Sequence, residues 1–120
     1  MSKRKPERVC HSVEEASELV KHLANPNRLA VMCHLMDAPR SVTELEEDLG
    51  IPQPTLSQQL SILRDADLIV GMRQARSVIY RIEDARVLPL IQALRLIFAE
   101  LNDLLMQKRS NFPGDMDMFD

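Results

Sequence analysis

Apolar residues recur at helical intervals along most of the chain, and one stretch has a different period. Ser12 and Glu15 have capping-box spacing, and Val13, Ala16, Leu19, Val20, Leu23 and Ala24 follow at helical steps, which predicts a first helix over residues 13–24. Asn25-Pro26 ends it and opens a second, with Asn25 as cap, Leu29, Met32, Cys33 and Met36 as apolar stripe, and Asp37-Ala38-Pro39 as stop. Ser41 with Glu44 repeats the capping box; Val42, Leu45 and Leu49 supply a buried side, and Gly50 is suited to the left-handed residue that closes a short third helix. After the turn Ile51-Pro52-Gln53, a fourth helix is predicted from near Pro54 to about Ala66 on Leu56, Leu60 and Leu63, with Asp67 taking the closing left-handed conformation. Then the pattern becomes β-branched: Leu68–Arg73 and Ser77–Ile82, joined by Gln74-Ala75-Arg76, read as a two-stranded hairpin. A last helix is expected from about Arg86 to Lys108, with Pro89 in its first turn and Val87, Leu90, Ile91, Leu94, Ile97, Phe98, Leu101, Leu104 and Leu105 in near-heptad order. The predicted fold is mainly α with a small β-hairpin: about five helices and a two-stranded wing.

A length of 120 residues, 45% hydrophobic and 28% charged, suits one globular domain. The polar ends suggest a flexible basic arm over residues 1–11, a folded domain over 12–108 and a flexible acidic tail over 109–120. No apolar run has the roughly 20 residues needed to span a bilayer, and no secretory-type stretch follows the basic start, so a soluble cytoplasmic protein is expected, without a membrane partner. Two cysteines, Cys10 and Cys33, make neither a disulfide framework nor a four-thiolate zinc site.

The formal net charge of -3 removes any bulk attraction to nucleic acid, so such binding needs local placement of cations. Arg73, Arg76 and Arg81 supply it, standing between Leu68 and Ile82 without one acidic residue. One Tyr, three Phe and no Trp leave few platforms for stacking single-stranded bases, which favours duplex DNA. Two short helices joined through Gly50-Ile51-Pro52-Gln53 make a helix-turn-helix, whose second helix would lie in the major groove. At about 100° per residue, Leu56, Leu60 and Leu63 cluster on one side of that helix, while Gln58, Ser61, Ser57 and Thr55 spread over the other. Such a face is usually just solvated. Here an arginine-bearing hairpin follows at winged-helix spacing, and Arg64, Arg73 and Arg76 would neutralise phosphates beside bases read by Gln, Ser and Thr. An enzyme is not expected: there is no nucleophile with an adjacent base, no glycine-rich phosphate loop and no cluster of histidines, and no cofactor is called for. A winged-helix module that binds protein instead of duplex DNA, with the acidic tail as an arm, is the alternative; salt-dependent duplex binding separates the two.

The segments Leu23–Leu35 (Leu-Ala-Asn-Pro-Asn-Arg-Leu-Ala-Val-Met-Cys-His-Leu), Ser41-Val-Thr-Glu-Leu and Gln53-Pro-Thr-Leu-Ser-Gln-Gln-Leu, with the hairpin ending in Ile79-Tyr80, resemble the ArsR/SmtB family of winged-helix repressors across nearly all of residues 12–108. The resemblance implies a transcriptional repressor that releases its operator on a chemical signal, and assigns DNA readout to Gln53, Thr55, Ser57, Gln58 and Gln59, the last standing where His is commoner. It also implies a homodimer built by the first and last helices, placing two reading helices on a near-palindromic operator.

Metal sensing is not expected. Leu45-Glu46-Glu47-Asp48 lacks the Cys-x-Cys pair of the third-helix metal site, and Glu100 and Asp103 have no histidine beside them, since His11, His22 and His34 all lie upstream. Cys33 resembles the second-helix cysteine of the family's sulfide- and persulfide-responsive branch, but its usual last-helix partner is replaced by Ala99. Cys10 would lie about 12 Å along the helical hairpin from it, beyond the roughly 7 Å that a disulfide allows between Cα atoms. Either Cys33 is a small core residue, or it acts as a single-thiol switch; Cys10, near Arg8 and a helix start, is the other candidate for sensing, and a repressor responding to a non-thiol ligand is the alternative to both.

Overall fold

A computed structural model describes residues 4–99 and 101, residues 4–11 by their backbone alone. Five helices and three strands follow in the order α1 (Arg4–Leu23), α2 (Pro26–Leu35), β1 (Arg40–Ser41), α3 (Val42–Leu49), α4 (Gln53–Asp65), β2 (Ile69–Gln74), β3 (Ser77–Ile82) and α5 (Val87–Ile97). Local chemistry sets most of these boundaries. Asn25 caps α2 through its side-chain oxygen, which accepts from the backbone N–H groups of Asn27 at 2.9 Å and Arg28 at 3.1 Å, while Pro26 fills the first turn. Ser41 and Glu44 close a reciprocal capping box on α3, and Gly50 ends it at φ 70°. Asp67 follows α4 at φ 62°, as its short polar side chain permits.

Several features differ from expectation. Helix α1 starts at Arg4, so it crosses the proposed division between arm and domain, and Ser12 sits within the helix rather than capping it. The residues ahead of Ser12 propagate a helix once it is nucleated, and Pro6 falls in the first turn, where its missing N–H costs nothing. The wing is a three-stranded sheet in the order β1-β3-β2, because Arg40 and Ser41 pair antiparallel with Tyr80 and Ile79. Helix α5 stops at Ile97, and Phe98 is extended at φ -111°, ψ 98°. The predicted continuation over residues 102–108 and the acidic tail over 109–120 lie outside the described residues.

The β2–β3 hairpin closes on the two residues Ala75 and Arg76, one fewer than expected, since Gln74 pairs with Ser77. Gly71 faces Tyr80 across this ladder, and a Cβ there would stand 2.8 Å from the Tyr80 ring, so glycine leaves the space that the buried ring occupies. The core runs through the middle of the molecule. Val31, Met32, Cys33 and Leu35 of α2 meet Leu45 of α3, Leu56, Leu60 and Leu63 of α4, Ile69 and Tyr80 of the sheet, and Val87 and Ile91 of α5. Two polar links brace it. His34, nearly fully buried, donates from Nε2 to Asp48 at 2.7 Å and ties α2 to α3. Arg95 of α5 reaches the same C-terminal turn of α2, where it donates to the Cys33 carbonyl and pairs with Asp37 at 3.5 Å; a cation at the carbonyl end of a helix is favourably placed.

Candidate nucleic-acid interface

Helix α4 owes its orientation to Leu56, Leu60 and Leu63, all buried, which turn the opposite face outward. Ser57 and Gln58 are exposed on that face, as is Gln53 at the helix start, while Thr55 and Ser61 are half-buried at its margins. Pro52 precedes the helix without a side-chain cap, so the first-turn N–H groups are not closed off by the protein. Gln53 is held in place: its amide donates to Glu46 of α3 at 3.3 Å and its carbonyl accepts from the Ser57 hydroxyl at 2.6 Å. At the other end, Arg64 is exposed, donates to the Ser61 hydroxyl at 3.2 Å and stands 3.9 Å from Asp65. The hairpin presents Arg73 and Arg76 exposed at and beside its tip. Both are long cations on a two-stranded ribbon, suited to meeting phosphates.

Gln59 differs from its neighbours. It is half-buried, and its Oε1 accepts a hydrogen bond from Arg28 of α2 at 2.8 Å. The helical wheel carries this signal, placing Gln59 about 60° from Leu56 and about 40° from Leu63, on the border of the apolar side. Arg28, which no sequence argument singled out, also donates from Nε to the His22 carbonyl at 2.6 Å, so it touches the end of α1 and the middle of α4 together.

The two thiols are placed less evenly. Cys33 has no exposure, and burial pushes its thiol above the ordinary cysteine range, against the opposing pull of Arg95. A neutral, covered thiol is a poor resting nucleophile. Cys10 lies on the backbone of α1, and its side chain is outside the described residues. Among the described residues no group of three or more His, Cys, Asp or Glu side chains is placed to hold a metal ion, and no helix is long and apolar enough to cross a membrane.

On the outer surface, α1 and α5 expose large apolar side chains: Val13 and Val20, and Leu88, Leu96, Ile97 and Phe98. Val13 and Val20, seven residues apart, share one face of α1.

Comparison with known proteins fits this geometry. Residues 25–70 match the model of the family described as bacterial regulatory protein, arsR family. The chain is 42% identical over 84 residues to the biofilm growth-associated repressor of Xylella fastidiosa strain Temecula1, covering 70% of this chain and 74% of that one. It is 45% identical over 84 residues to the protein of the same name from Agrobacterium fabrum, covering 70% and 72%. The crystal structure of the transcriptional repressor BigR from Xylella fastidiosa superposes with a TM-score of 0.71 at 38% identity, over 79% of this chain and 94% of that one. Reduced HlyU from Vibrio cholerae gives a TM-score of 0.74 at 32% identity, over 77% and 97%. With its helix-turn-helix, its wing and relatives of this closeness over most of their length, the chain belongs to the ArsR family of bacterial regulatory proteins.

Proposed function

We propose that this protein is a DNA-binding transcriptional repressor, working in the cytoplasm as a homodimer on a near-palindromic duplex operator and releasing it on a chemical signal. The observation that carries the reading is the outward face of α4, uncharged and polar at an uncapped helix start, with an arginine-tipped hairpin following in the chain. Gln58 is suited to bidentate bonding with adenine, and Ser57, Thr55 and Ser61 to base edges or phosphates. Gln53 and the open N–H groups at the start of α4 receive a phosphate, and Arg64, Arg73 and Arg76 neutralise the flanking backbone. The bare apolar faces of α1 and α5 supply the subunit contact, setting two reading helices about one helical turn of DNA apart. The relatives named as repressors support the same reading.

Release requires that the signal favour a dimer geometry that no longer matches the groove spacing. A thiol-directed signal would act through Cys10, or through Cys33 once the α2–α5 contact opens, because the closed structure keeps Cys33 covered.

Titration of duplex DNA at several salt concentrations tests the binding. Affinity is expected to fall steeply with salt and to be lost in the Gln58→Ala, Arg76→Ala double variant. Absence of duplex binding at low salt would point instead to a protein-binding module. Repeating the titration on wild type, Cys33→Ser and Cys10→Ser with persulfide, peroxide and zinc tests the signal; unchanged binding throughout removes the thiol reading.

A further inference from the structure

Arg28 joins two elements that the functional reading keeps separate. Its Nε donates to the His22 carbonyl in the last turn of α1, at 2.6 Å, and its Nη1 donates to Gln59 Oε1 on α4, at 2.8 Å. A guanidinium is planar and its donors are fixed relative to one another, so holding two acceptors at once fixes where those acceptors stand. The His22 carbonyl belongs to the negative end of α1, where a cation is favourable, so the α1 contact is charge-assisted as well as geometric. Arg28 is itself anchored, since its backbone N–H lies under the Asn25 cap. Helix α1 carries the exposed Val13 and Val20, and α4 carries Ser57 and Gln58.

We propose that Arg28 and Gln59 form a positioning strut, in which Gln59 sets the stand of the reading helix against the subunit-contact helix instead of reading a base. The proposal rests on the DNA-binding reading and deepens it. A change in how α1 seats against a second subunit then reaches α4 through one guanidinium, and the spacing of the two reading helices depends on this link. Gln59 is thus a specificity element of the operator's geometry, while base identity is left to Gln58 and its exposed neighbours.

The test uses a duplex selected from a random pool by the wild-type protein, versions of it with one base pair added to or removed from between the half-sites, and an unrelated duplex. Gln59→Leu and Arg28→Met are each expected to weaken binding to the selected duplex about tenfold. Base preference at every position and affinity for the unrelated duplex should stay unchanged, and part of the loss should return on a duplex of altered spacing. Gln59→Glu keeps an acceptor for Arg28 and is expected to stay within about threefold of wild type. Relaxed preference at a single base pair in Gln59→Leu would show a base reader and overturn the strut. So would Gln59→Glu binding as weakly as Gln59→Leu while Arg28→Met binds normally. A double-mutant cycle in chemical unfolding needs no DNA: the strut requires Arg28→Met and Gln59→Leu to be non-additive, and additive losses overturn it. Should the wild type select no duplex at all, the DNA-binding reading fails, and the cycle still decides whether the two side chains are coupled.

Discussion

Helices α2 and α5 are nearly equal in length, at 10 and 11 residues, and both are rich in apolar side chains, yet the chain treats them differently. Five consecutive residues of α2, Val31 to Leu35, are buried by α3, α4, α5 and the sheet. In α5 only Val87 and Ile91 are buried, while Leu96, Ile97 and Phe98 are 79%, 69% and 54% exposed. Arg95 stands between the two groups and points back to the Cys33 carbonyl and Asp37; past Phe98, Leu101 packs against the core again. The difference teaches that α2 is a folding element, whereas the end of α5 is the surface that the proposed dimer would use. Apolar surface left in water at a helix end becomes favourable when a second subunit covers it.

The contrast can be broken from either side. Met32→Ala on α2 should cost about 3 kcal/mol, as removal of a fully buried side chain does, seen as an earlier midpoint in chemical unfolding. Ile97→Glu on α5 should leave the fold of the subunit intact but weaken self-association by about 2 kcal/mol, roughly thirtyfold in the dissociation constant, read as a shift toward monomer in sedimentation. If Ile97→Glu unfolded the chain and Met32→Ala dissociated it, the assignment of the two helices would be reversed. Asn25→Ala removes the cap of α2 and should cost about 1 kcal/mol, with sedimentation unchanged. The smallest effect concerns pH. Burial raises the folded thiol of Cys33, so the stability it contributes is fully present below the ordinary thiol range and is lost as pH rises through the folded value. Cys33→Ala should flatten that alkaline slope, which unfolding measured from neutral to alkaline pH would show.

Much of this arrangement can be read from local chemistry. The Asn25-Pro26 start, the Ser41/Glu44 box and the Gly50 and Asp67 ends each depend on hydrogen bonds or backbone angles within a few residues, so residue type and spacing suffice. The same kind of signal misplaces the start of α1. Ser12 and Glu15 have capping spacing, but a helix already running from Arg4 passes through them, and capping residues end nothing when their upstream neighbours propagate. Strand β1 is two residues long and has no pattern of its own; Arg40 and Ser41 become a strand only because Tyr80 and Ile79 arrive beside them. On α4 the exposure of Ser57 and Gln58 follows from helical angles, whereas the involvement of Gln59 with Arg28 links residues 31 positions apart.

The amino-acid order by itself determined the succession of helices, the hairpin and the polar face of α4, because periodicity, caps and turn residues act over one or two turns of chain. Folding in three dimensions decided the third strand, the enclosure of Cys33 and His34, the grip of Arg28 on two helices and the bare end of α5. Each of these depends on which distant surface comes to lie against a residue, and burial and hydrogen-bond partnership are properties of that meeting and not of the residue alone.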